Sequence, residues 1–93
     1  MHLLLMPTLG KFYGIQITIR PSEGSHVLPH FHARYAEFNA SIAIGTIEVL
    51  AGSVPGRAME MVMIWGTLHR AELQAAWEAL QSGRLPAKIE PLQ

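Results

Sequence analysis

His30-Phe-His-Ala-Arg-Tyr-Ala-Glu-Phe-Asn-Ala-Ser-Ile-Ala-Ile44 decides the fold of this chain. Phe31, Ala33 and Tyr35 alternate with His30, His32 and Arg34. Phe38, Ala40, Ile42 and Ile44 then alternate with Asn39, Ser41 and Ala43. Successive side chains of a strand point to opposite faces, so each run reads as a strand with one apolar and one polar side. Two such runs this close in sequence pair antiparallel.

The same pattern extends upstream and downstream. From Phe12 to Arg20, Tyr13, Ile15, Ile17 and Ile19 fall on one side, and Phe12, Gly14, Gln16, Thr18 and Arg20 on the other, which predicts a half-buried strand. Pro21-Ser-Glu-Gly-Ser25 has the composition of a loop, and Pro29 keeps Leu28 out of the helical region. Past Gly45, Thr46–Leu50 reads as a short strand with Ile47 and Val49 inward.

After Gly52-Ser-Val-Pro-Gly56 the period becomes helical. Ala58, Met61, Val62, Trp65 and Leu68 form one stripe, and Leu73, Ala76, Trp77 and Leu80 a second. One unbroken helix would carry its apolar face through His69 and Glu72, so two helices with a break near His69 are predicted. Gly83 ends the second, and Pro86–Leu92 returns as a short edge strand. The expected architecture is α+β: an antiparallel sheet of four or five strands with two C-terminal helices packed on one face. Residues 1–93 form a single domain, with 1–5 as a non-core extension.

Composition narrows the chemistry. Of 93 residues, 49% are hydrophobic and 15% charged, enough apolar material for one core and too little chain for two. No cysteine is present, which excludes disulfides, thiolate nucleophiles and cysteine-ligated zinc. Aspartate is also absent, so the seven acidic side chains are all glutamate. Usual calcium loops and two-metal carboxylate clusters lose their ligands. A net charge of zero provides no long-range field for gathering nucleic acid. The apolar stretch His2–Leu9 is too short for a membrane span and lacks a leader's flanks, so a cytoplasmic protein is expected.

The segment His26–His32 holds three of the chain's five histidines. Strand parity sets His30, His32 and Arg34 on the polar face, with Gln16, Thr18, Arg20, Asn39 and Ser41 beside them and Glu48 near. Imidazoles and guanidiniums donate hydrogen bonds to phosphate or carboxylate, so His26, His30, His32, Arg34 and Arg20 are candidate ligand-binding residues for an anion, RNA included. A metal-independent ribonuclease would use the same ingredients catalytically: His30 and His32 as acid and base, Arg34 for the developing charge. Alternatively His26, His30 and His32 would hold zinc or another divalent transition metal, against which the charge of Arg34 argues. In the plainest reading these are solvated side chains and Pro29 only sets the entry to a strand.

Elsewhere, His69 reads as a helix-junction residue, Trp65 and Trp77 as core, and Met59, Met61 and Met63 as partly surplus to the core and available to a partner. No nucleophile elbow and no phosphate-binding glycine loop is present.

Met6-Pro-Thr8, Phe12-Tyr-Gly14, His26-x-x-Pro-His-Phe-His-Ala33, a tryptophan helix leading to Leu68-His-Arg70 and Leu73, Trp77, and Lys88-Ile-Glu-Pro-Leu92 together resemble a small bacterial family known as a domain of unknown function. The resemblance runs from Met6 nearly to the end, and its most specific part is the histidine run. It implies a partner, a second small protein encoded by the adjacent gene, in an arrangement similar to a toxin–antitoxin pair. It supplies no catalytic residues and no cofactor. It leaves a homo-oligomer open, and the residues before Met6 depart from its usual start, so that translation from Met1 or from Met6 is equally compatible. The expected function is a binding component of such a two-gene module, with a His/Arg sheet face for an anionic or protein ligand and no role at a membrane.

Overall fold

The computed structural model describes residues 6–21 and 27–93. Strands β1 (Thr8–Phe12), β2 (Ile15–Thr18), β3 (His30–Tyr35), β4 (Phe38–Ala43) and β5 (Val49–Ser53) precede helices α1 (Gly56–Leu68) and α2 (Arg70–Gln81). Each strand pairs antiparallel with its chain neighbour, in the order β1-β2-β3-β4-β5. The fold is α+β, and the parity of the central strands is as expected. Ile15, Ile17, Ile19, Phe31, Ala33, Ile42 and Ile44 are buried on one face.

Both helices join that face in one core. α1 contributes Ala58, Val62 and Trp65, and α2 contributes Leu73, Ala76, Trp77 and Leu80. The Trp65 ring lies 5.4 Å from Phe12 and 6.0 Å from Phe31. Close approach of α1 depends on Gly66, where a Cβ would stand 3.3 Å from Ile47 Cδ1 and 3.4 Å from Phe31 Cζ. The helices break at His69 (φ −113°, ψ 26°), as predicted. The joint is stitched by His69 N–H to Trp65 O and Leu73 N–H to His69 O. His69 Nδ1 also meets Glu72 Oε1 at 2.5 Å.

Three sequence expectations need correction. The strand expected over Phe12–Arg20 is two strands: Phe12 and Ile15 face each other across a Tyr13-Gly14 turn whose φ values are 49° and 81°. Tyr13, expected inward, is 59% exposed, while Phe12 is buried. The strand expected over Thr46–Leu50 instead spans Val49–Ser53, because Ile47 turns the chain with φ 54°; Val49 is exposed rather than inward. Pro86–Leu92 is not a strand. It runs beside β1 with one backbone bond, Ile89 N–H to Leu9 O at 2.9 Å, and its Glu90 carbonyl accepts the Trp65 indole N–H at 2.8 Å. The methionines of α1 pack partly against the core, whereas Ile64 and Leu68 are the exposed apolar residues of that helix. No helix among the described residues is long and apolar enough to cross a membrane.

Candidate functional site

The sheet register builds the open face in rows. Gln16 stands opposite Arg34, and Arg34 opposite Asn39. In the next row Thr18, His32, Ser41 and Ala51 stand side by side on β2, β3, β4 and β5. Arg20 follows Thr18 by two residues, beyond the end of β2. Above these rows lies a cleft of about 580 Å³. Its walls include Gln16, Thr18, Arg20, His32, Arg34, Asn39 and Ser41, together with Met6, Ala51 and Gly52. Among the described residues no carboxylate lines it, and their fixed charge there is the two guanidiniums.

His32 occupies the middle. Its Nδ1 and Ser41 Oγ are 3.2 Å apart, and its Nε2 is buried without a hydrogen-bond partner. Burial pushes its pKa down to about 4, with the charges of Arg20 and His30 acting in the same direction. The ring is therefore neutral at pH 7. Arg34 is steadied by a bond from its Nε to Ala36 O at 3.3 Å, and Gln16 Nε2 donates to Thr8 Oγ1 at 2.8 Å.

His30 sits apart from the cleft lining. Its ring packs against Trp77 of α2 at 5.3 Å and meets the His32 ring edge to face at 5.1 Å. Since a carbonyl only accepts, the 2.8 Å contact with Leu28 O places a hydrogen on His30 Nδ1. Rings in direct contact leave no room for a phosphoryl group between them. His26 lies outside the described residues, so the three-histidine arrangement has two described members. Among the described residues no group of three His, Cys, Asp or Glu side chains gathers as a metal site would require. Glu48 is not part of the cleft wall.

Parity on β2, β3 and β4 therefore brings Arg20, His32 and Arg34 to one concavity, with the polar residues expected beside them. Sequence reasoning missed Met6, Ala51 and Gly52. Gly52 had a readable signal, a glycine within an otherwise extended run. Its φ is 73°, and a Cβ there would lie 2.2 Å from Asn39 O, so the bulged β5 edge of the cleft requires this residue.

The family model described as Domain of unknown function (DUF4160) matches residues 14–78. The chain belongs to this family. The matched span runs from the β1–β2 turn into α2 and contains every cleft residue except Met6. No functionally described protein and no solved structure matches the chain.

Proposed function

We propose that this protein is a cytoplasmic binding component of a two-gene, toxin–antitoxin-like module, and that the open face of its sheet holds an anionic ligand. The observation that carries the ligand reading is the composition of one concavity: Arg20 and Arg34 share a cleft with neutral hydrogen-bonding side chains and, among the described residues, with no carboxylate. Guanidiniums in such a setting hold phosphate or carboxylate by paired, charge-assisted hydrogen bonds. Neutral His32, Thr18, Ser41, Gln16 and Asn39 add directional contacts without adding charge.

The same geometry gives less to the hydrolytic reading. In acid–base cleavage one imidazole takes a proton and the other gives one, and His32, held neutral down to about pH 4, is confined to the first of these roles and is a weak base there. The His30 and His32 rings also touch rather than bracket a substrate. For the partner protein, the exposed Ile64 and Leu68 on α1 offer apolar contact on the side away from the cleft.

Thermal unfolding in the presence of phosphate, pyrophosphate, citrate and chloride tests the ligand reading. A ligand that binds the native state raises the midpoint in proportion to the logarithm of its concentration. Pyrophosphate or citrate is expected to raise it, Arg34→Ala and Arg20→Ala each to reduce the rise, and the double variant to abolish it. An equal response to chloride would remove the case for a specific site. Co-expression with the adjacent gene's product followed by size exclusion tests the module, and two separately eluting proteins would count against it.

A further inference from the structure

The two arginines stand two rows apart in the sheet register. Arg34 is level with Gln16, and His32 with Thr18; Arg20 lies two residues past Thr18, on the opposite side of the His32 row from Arg34. Residues two apart on a strand are separated by about 6.5–7 Å, so the two arginine positions stand about 13 Å apart along the sheet. Both open into the same cleft. One phosphate held on one fork leaves the other cation unanswered. The space between them is furnished with hydroxyls and a neutral imidazole from Thr18, Ser41 and His32, which hydrogen-bond the sugar hydroxyls and phosphate oxygens of an intervening nucleotide without adding charge.

We infer that the ligand is a single-stranded phosphodiester chain lying along β2 and β3, with one phosphate on Arg34, another on Arg20 and the intervening nucleotide over the His32 row. The inference rests on the anion-binding reading above. Among the described residues no Phe, Tyr or Trp lines the cleft, so no aromatic ring stacks on the bases and affinity rests on the phosphate and hydroxyl contacts. An acidic peptide also carries spaced anions, but extended peptides join a sheet through backbone pairing at its edge. This cleft lies on the face.

Fluorescence anisotropy with fluorescein-labelled hexauridylate tests this, using the full chain and unlabelled competitors. For single strands each neutralised phosphate contributes about −0.7 to the slope of log K against log salt, so two contacts predict about −1.4. Arg34→Ala and Arg20→Ala are each expected to halve that slope, while Arg57→Ala on α1 leaves it unchanged. Trinucleotides should compete at least about tenfold better than uridine monophosphate, roughly 1.4 kcal/mol. Hexathymidylate competing equally would assign recognition to the phosphodiester alone, and a preference for the RNA would add contacts to the 2′-hydroxyl; both support the proposal. Uridine monophosphate or inorganic phosphate competing as well as the hexamer would overturn it while leaving the anion site intact. Hexaglutamate competing as well as hexauridylate would overturn it in favour of a peptide. If hexauridylate does not bind and no anion shifts the thermal midpoint, both readings fall.

Discussion

A single imidazole connects stability to acidity in this protein. His32 is pushed from 6.5 to about 4 chiefly by burial, then by Arg20 and His30. Between those two values the unfolded chain carries more protons at this position than the folded one. Stability therefore rises with pH across that window and is lost as pH falls from 6.5 toward 4. The side chain is partly exposed, so solvent screening cuts the effect to about 1–2 kcal/mol. Urea midpoints at pH 7, 5.5 and 4 should fall in step for the native chain and fall less steeply for His32→Gln. An unchanged slope in that variant would show that other groups carry the acid sensitivity. For a binding face the neutral ring is useful, because it contributes hydrogen bonds without a charge that changes between pH 5 and 8.

At the scale of elements, a two-residue turn carries an unsuitable residue. Tyr13 and Gly14 both have positive φ, the signature of a two-residue hairpin whose preferred pair is Asn-Gly. Tyr13→Asn is expected to stabilise the protein by about 0.5–1 kcal/mol, since the ring is 59% exposed and little burial is lost. A thermal midpoint below that of the native chain would contradict this. The same turn explains why β1 was not legible. Residues facing across a two-residue turn share a face, so Phe12 and Ile15 are both buried, whereas a straight strand sends residues three apart to opposite sides. Unbroken alternation from Tyr13 to Ile19 concealed the change. β5 was displaced for a related reason: Gly52 and Ser53 look like a breaker, yet Gly52, with φ 73°, pairs with Ala40 inside the strand. By contrast, β3, β4 and the break at His69 were legible, because each is written in the spacing of apolar residues. Arg20, His32 and Arg34 were legible as one group for that reason, while the depth of the cleft depended on Met6 and the β5 bulge.

In the whole molecule, the two sheet edges are treated differently. The β1 edge is joined by the C-terminal segment through Ile89 and Leu9, Lys88 Nζ donates to Thr8 O at 3.0 Å, and the indole of Trp65 holds the same segment at Glu90. β5 ends the pairing order on the other side. Deleting residues 85–93 should lower stability by about 2–4 kcal/mol, through the buried Ile89 side chain and the orphaned Trp65 N–H. It should also promote self-association through the uncovered β1 edge. Denaturant titration and light scattering would read the two effects separately, and a truncated chain as stable as the full one would refute the first.

That last segment also imposes an order on biogenesis. The segment beside the first strand is made some 80 residues after it, so a nascent chain that has exposed β1 to α2 still lacks the piece that fastens the sheet to Trp65. At about 5–20 residues per second the interval is brief, but during it the half-finished β1 edge is open to any chaperone or neighbouring polypeptide.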